Sequence, residues 1–299
     1  MKIDKLNNNI ILFKANVLKL VATVIDCGNF FIVIDTLLLK KDTKQISEFI
    51  YSAKKPIRYI LNTHWHSDHY FGNTYLIENH KNNDLYLIAN EYYQDTINCE
   101  KNLLNPKKKN QTTKEKFYSP NIIFNFSNTD KHKIYDFKLD FNEDVNIQIY
   151  YTPGHTIDSI CIFDQEASIL WTGDTILSAE NGFYSIPYFY WGNPYSHLKS
   201  LFLIKELNPK IIISGHGELI KNDTFNYIEY QINYLQNLIT SSEAYFLNYN
   251  KTLLSEFCEQ LSFDVSFQTY KNKKLWIEKM HSLNLEKMYY ILYNQKEKK

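Results

Sequence analysis

Six consecutive residues constrain this chain more than any others: His64-Trp65-His66-Ser67-Asp68-His69, four of which can bind a metal ion. Residues two apart in an extended segment point to the same side, so His64 and His66 can close on one ion. Asp68 and His69 follow a bend and can reach a second ion beside the first. The residues before them, 56–63, read as a short buried strand running into a loop. The ligands then sit at the carboxyl end of a strand, where α/β architectures bind their ligands. Three imidazoles and a carboxylate crowded together without a cation would suffer charge repulsion and desolvation. A lone histidine is more often a packing or surface residue, but this cluster reads as a metal site.

Further candidates follow in order. Gly154-His155 comes after an apolar strand at 145–151, Gly173-Asp174 after another at 168–170, and Gly215-His216-Gly217 after a third at 210–213. Each candidate directly follows a glycine at a strand end, where a turn can aim it into a common mouth. Of the nine histidines, His64, His66, His69, His155 and His216 fall on this pattern. His80, His132, His197 and His281 do not, and are read as surface or packing residues.

The ordered set H-x-H-x-D-H, G-H, G-D and G-H-G resembles the metallo-β-lactamase-fold hydrolase superfamily, over about Ile10 to Ile220. The resemblance implies a four-layer αβ/βα sandwich of the α/β (α+β) class. It also implies one metal on His64, His66 and His155, a second on Asp68, His69 and His216, and Asp174 bridging the two. Asp68 would in addition orient the attacking water and shuttle its proton, as the catalytic residue. Imidazole and carboxylate ligands suit Zn²⁺, two ions per chain, while ligand type alone leaves iron or manganese open. In the family an aspartate at the place of Asp35 commonly buttresses the metal loop; a turn or helix-capping role is equally open.

The implied activity is hydrolysis of a thioester, lactone or other activated ester or amide by water made acidic between two zinc ions. Asp174 stands where true β-lactamases carry Cys or Ser, and the motifs are nearer to the glyoxalase II, lactonase and quinoprotein-relay branch. The basic residues with which glyoxalase II holds glutathione are not identifiable here. The alternative is a persulfide dioxygenase with one iron on His64, His155 and Asp174; a non-catalytic binding module is disfavoured by the complete ligand set.

With 299 residues, 44% of them hydrophobic, the chain can bury a sizeable core. Its net charge is zero and it has one arginine, Arg58, so it offers no basic footprint for nucleic acid and no arginine clamp for phosphates. A small-molecule substrate is the expected partner, with neither nucleic acid nor membrane. Cys27, Cys99, Cys161 and Cys258 are widely spaced and read as free thiols of a reducing compartment. The best apolar run near the start, Val17 to Ile25, is broken by Lys19 and does not read as a signal peptide, so a cytoplasmic location is expected.

Strands are expected at 10–13, 18–26, 30–34, 85–89, 122–126, 160–163 and 169–171, the last two as a hairpin, besides those named above. Helices are expected at 41–53, 72–80, 91–104 and 197–207, with 105–110 read as a solvated loop and the rest of 105–135 outside the 122–126 strand left unassigned. Between two ligands lies Asn181 to Gly192, six of whose twelve residues are aromatic. Tyr184, Tyr188, Tyr190 and Trp191 are read as a possible substrate wall at the metal mouth, set against simple packing of the loop. From Thr224 apolar residues recur at helical spacing, and further helices are expected at 253–261, 275–280 and 285–293. The organisation expected is a catalytic domain over 1–223 and a helical extension over 224–299.

Overall fold

The computed structural model describes residues 1–81, 84–93, 119–124, 134–136, 147–178, 184–249, 253–262 and 275–297. Along β2 (Ile10–Lys14), Ile10 and Leu12 pack to one side while Ile11 and Phe13 pack to the other. That is the period-two pattern of a strand buried on both faces. Strand β2 lies antiparallel between β1 (Lys2–Lys5) and β3 (Val21–Asp26). Strand β4 (Phe31–Ile34) runs antiparallel to β3, and β5 (Ile57–Leu61), β6 (Tyr86–Asn90) and β7 (Ile122–Phe124) join in parallel. These seven strands form one sheet in chain order. A second sheet has the order β12-β11-β10-β9-β8, from β8 (Ile134–Asp136), β9 (Ile147–Tyr151), β10 (Ile160–Asp164), β11 (Ile169–Gly173) and β12 (Ile211–Ser214). Only its β11–β12 pair is parallel.

The sheets pack face to face. Ile10, Leu12, Ile32, Ile34 and Leu61 of the first meet Ile149, Ile160, Ile162, Trp171 and Ile213 of the second in one buried cluster. Trp171 satisfies its indole N–H across this layer on the Thr23 hydroxyl, at 3.0 Å. The outer face of the first sheet is covered by α1 (Lys40–Ala53) and α3 (Asn73–Asn79), through Ile46, Ile50 and Leu76. The outer face of the second carries Cys161, Phe163, Leu170 and Ile212, which pack under α4 (Pro194–Leu207), α5 (Thr224–Asn248), α6 (Leu254–Gln260) and α7 (Leu275–Glu297). The expected four-layer αβ/βα sandwich is therefore the fold observed. The helices after residue 223 share one hydrophobic cluster with the second sheet.

Several local expectations change. The strand expected to begin at Leu18 begins at Val21, because Leu18 and Lys19 form a tight turn with φ of 54° at both positions. Strand β1 escapes sequence reading because its residues are mostly exposed and offer no apolar face; pairing with β2 holds it. The two short helices expected at 275–280 and 285–293 are one helix, α7. The polar residues between the two expected segments, His281 and Asn284, are buried and bonded to other elements: His281 to Tyr234 and Leu261, Asn284 to Pro187, Phe189 and Tyr234. Helix α4 begins at Pro194 rather than 197, its cap being the Asn193 side chain, which accepts from Ser196 N at 3.0 Å. The helix expected at 91–104 falls almost wholly outside the described residues, as do Cys99, His132 and most of 105–135. Among the described residues, no helix is long and apolar enough to cross a membrane.

Candidate metal centre

Strand ends build the site. Asp35 follows β4, Thr63 and His64 follow β5, His155 follows β9, Asp174 follows β11 and His216 follows β12. Just beyond His66 the chain turns into the single-turn helix α2 (Ser67–Tyr70), which swings Asp68 and His69 back toward the strand ends. All seven candidate ligands converge, in two groups: His64, His66, His155 and Asp174, then Asp68, His69 and His216. His66 Nδ1 lies 2.9 Å from both His64 Nε2 and His155 Nε2. Asp174 stands between the groups, its carboxylate 3.6 Å from His155, 3.9 Å from His64, 3.4 Å from His69 and 3.2 Å from His216. Asp68 lies 3.4 Å from His216 Nε2 and 3.9 Å from His69 Nε2.

Not every glycine at these strand ends supplies a turn. Gly173 does have φ of +49°. Gly215 instead makes room, since a Cβ there would run into the Asp174 carboxylate and the His69 ring.

Outer hydrogen bonds decide which ring nitrogens face inward. His155 Nδ1–H donates to the Tyr188 carbonyl at 2.6 Å, and His216 Nδ1–H to the Leu18 carbonyl at 2.8 Å. His69 Nδ1–H donates to Asp35 at 2.8 Å. His64 Nδ1 lies 3.1 Å from the Thr63 hydroxyl, which itself donates to Asp35 at 2.8 Å and is therefore an acceptor toward the imidazole. Four imidazoles are thus anchored through Nδ1 and present Nε2 to the centre. His64 Nε2 and His155 Nε2 both point at His66 Nδ1, which can donate to only one of them. His69 Nε2 and Asp174 Oδ1 are buried without a hydrogen-bond partner. Converging lone pairs and orphaned buried atoms are what divalent cations would satisfy, and the nitrogen and oxygen donors suit zinc.

The electrostatics agree. Burial holds His64, His66 and His155 below the ordinary histidine range, keeping them neutral as metal ligation requires. Burial also opposes charge on His69 and His216, but Asp174 overrides it and both are raised; Asp35 and Asp68 add to the effect on His69. Burial would raise Asp174, yet His216 and His69 beside it hold its carboxyl well below the usual range. The two imidazoles of the second group thus share with Asp174 a charge that a cation would replace.

Asp35 is the residue on which the sequence left two roles open. It is buried, with φ of 55°, in the left-handed region. Its carboxylate accepts from Thr63 N at 2.9 Å, from the Thr63 hydroxyl and from His69. It caps no helix; it binds the loop that carries the ligands.

A cavity of about 490 Å³ opens on the centre, bordered by His66, Asp68, His155, Asp174 and His216. Of the four aromatic residues expected at the mouth, Tyr188 lines it. Tyr184 is not in that lining; it packs on Tyr227 and Tyr230 and donates to Asp223 at 2.7 Å. Tyr190 and Trp191 are outside the described lining too; they pack edge to face, and Trp191 meets Trp65. Sequence reasoning missed Leu18, Leu177, Trp276 and Met280, which do line the cavity. The exposed turn and the helix that carry Leu18, Trp276 and Met280 hold no metal-ligating motif to draw attention to them.

Two packed sheets whose strand ends deliver histidines and aspartates to one centre define a class of metal-dependent hydrolases. The profile of the metallo-beta-lactamase superfamily matches residues 18–216, and the chain belongs to that superfamily. Among curated proteins, the chain is 26% identical over 240 residues to a beta-lactamase-like protein 2 homolog of Caenorhabditis elegans, covering 79% of this chain and 65% of that one. It is 31% identical over 81 residues to an atrochrysone carboxyl ACP thioesterase of Aspergillus fumigatus, 27% of this chain and 23% of that protein. It thus spans less than two thirds of the length of each of these relatives. The metallo-beta-lactamase FIM-1 from Pseudomonas aeruginosa, in its mono-zinc form, superposes with a TM-score of 0.58 at 17% identity, covering 78% of this chain and 95% of that one. The metallo-beta-lactamase from Pontibacter korlensis gives 0.54 at 16% identity, with 79% and 99% covered.

Proposed function

We propose that the protein is a two-zinc hydrolase of thioesters, lactones or other activated esters. The observation that carries the reading is the convergence of His64, His66 and His155 beside Asp68, His69 and His216, with Asp174 facing both groups. Two divalent cations held there would polarise the scissile carbonyl and make a bound water acidic near neutral pH. Asp174 would offset their charge from between the two groups. Asp35 and the Tyr188 and Leu18 carbonyls hold His69, His155 and His216 in the ligating tautomer.

Asp68 borders the cavity and is only partly covered, so one carboxylate oxygen can take the proton of the attacking water and return it to the leaving group. For a thioester, the water oxygen joins the acyl carbon, the carbon–sulfur bond breaks, and the proton ends on sulfur. No serine or cysteine nucleophile is needed. The thioesterase among the relatives supports the thioester class, and the small cavity supports a small-molecule substrate.

Elemental analysis of protein purified without added metal, followed by zinc titration, tests the centre. Two equivalents are expected, with His155→Ala losing the first site and His216→Ala the second. Absence of any bound metal together with no uptake of zinc would refute the reading. A panel of esters, thioesters and lactones then tests the reaction class.

A further inference from the structure

Beyond its ligand end, the cavity is apolar. Leu18, Leu177, Tyr188, Trp276 and Met280 form its wall, and Lys19 is the one lysine or arginine in the described lining. Trp276 and Met280 are four residues apart on α7, so they share one face of that helix, while Ile277, Leu285 and Met288 face the core. Both lie well outside residues 18–216, the part of the chain that carries the family match.

Leu18, another residue of the lining, is held there at a conformational cost. Leu18 and Lys19 both have φ of 54°, the conformation of a two-residue hairpin turn that ordinarily takes Asn-Gly. The turn is pinned to the metal loop: the Leu18 carbonyl accepts from His216 Nδ1, and the Lys19 carbonyl from Gly217 N at 2.9 Å. A leucine in strained backbone, 58% exposed beside a cavity, is poorly explained by packing. Trp276 is also a large apolar residue left partly open to solvent, 37% exposed. Both gain burial if an apolar group fills the cavity they line.

From this arrangement we infer that α7 and the Leu18–Lys19 turn form an acyl-binding subsite, selecting substrates whose acyl part is apolar and several carbons long. The inference rests on the hydrolase reading for what happens at the carbonyl. Its own content is the apolar wall. The carbonyl sits at the ligand cluster, and the chain behind it lies along Trp276, Met280, Leu177 and Leu18. Discrimination comes from burial: each methylene covered contributes roughly three- to fourfold in kcat/KM or affinity until the cavity is filled.

The test uses the full zinc-loaded chain with straight-chain acyl thioesters of N-acetylcysteamine, from acetyl to decanoyl, and in parallel the carboxylates acetate, butanoate and octanoate by calorimetry. The wild type should prefer octanoyl to acetyl thioester by at least about a hundredfold, and octanoate should bind more tightly than acetate. Trp276→Ala should cut the octanoyl-to-acetyl ratio by roughly tenfold or more and weaken octanoate, with zinc content unchanged. Met280→Gln, which keeps the helix and its length but adds polarity, should act in the same direction. A chain-length response that is flat, or that both variants leave intact, overturns the subsite even if thioesters are cleaved. Carboxylate binding that strengthens with chain length and is lost in Trp276→Ala, with no ester or thioester cleaved, upholds the subsite and overturns the hydrolase reading instead.

Discussion

Replacing Asp35 with Asn tests how the ligand loop is held. The buried carboxylate accepts three hydrogen bonds, two from Thr63 and one from His69 Nδ1. An asparagine can keep its oxygen on Thr63 N, but its NH₂ then faces two donors, the Thr63 hydroxyl and His69 Nδ1–H. The imidazole relieves that clash by moving its proton to Nε2, the nitrogen directed at Asp174 and Asp68, and so loses the lone pair that ligates. Hydrogen bonds to a charged group contribute about 1.5–3 kcal/mol each, so the loss of two should cost up to roughly 3–6 kcal/mol of stability. Removing the outer partner of a metal-binding histidine typically weakens metal binding about 10–100-fold. Competitive zinc titration against a chromophoric chelator should show that loss at the Asp68, His69 and His216 site, with a smaller effect at the other, reached only through Thr63 and His64. Nitrogen-15 spectra of the His69 ring should report the exchanged tautomer. Asparagine tolerates the left-handed backbone at position 35, so backbone strain does not confound the result. A folded Asp35→Asn protein that binds both zinc equivalents as tightly as the wild type would refute this account.

The same logic extends one step further out. Asn284 on α7 donates to the Pro187 carbonyl at 2.7 Å and accepts from Phe189 N at 3.2 Å, clamping the peptides around Tyr188, whose carbonyl anchors His155. Asn284→Ala should cost about 2–4 kcal/mol and loosen the first zinc site several-fold, whereas Leu285→Ala should cost comparable stability and leave zinc affinity unchanged in the same titration. Burial pushes His281 down to about 4, so between pH 6.5 and 4 the unfolded chain binds a proton that the native chain refuses, and stability falls as pH drops through that window. In urea melts of the metal-free protein, His281→Gln should shrink the loss between pH 7 and 4.5 by about 2 kcal/mol; an unchanged slope contradicts the assignment. Cleavage of a thioester or lactone by zinc-loaded protein should proceed under nitrogen and stop on chelation, and a requirement for dioxygen would point instead to an iron oxygenase.

Much of the metal centre was legible in the sequence because its signals are local. H-x-H-x-D-H places four donors within one bend, and each remaining ligand stands beside a glycine at the end of an apolar run. The sandwich was implied by the resemblance those motifs carry; in the structure, strands such as β2 and β10 alternate between two apolar faces, as a layer on each side requires. What tertiary structure alone decided is long-range. That Asp35 serves the ligand loop rather than a helix end depends on a fold that brings it to Thr63 and His69, the latter 34 residues away. The pairing of Asn284 with the loop before α4 spans about 95 residues, and no local pattern distinguishes it from a break in a helix. Among the aromatics of one loop, Tyr188 faces the cavity while Tyr184 turns to Tyr227, because packing against α5 consumes one face of the loop and leaves the other. Residue type and spacing determine which atoms can bind a metal. Which apolar side chains stand around those atoms depends on which surfaces are left over once the layers have packed, and only the folded chain decides that.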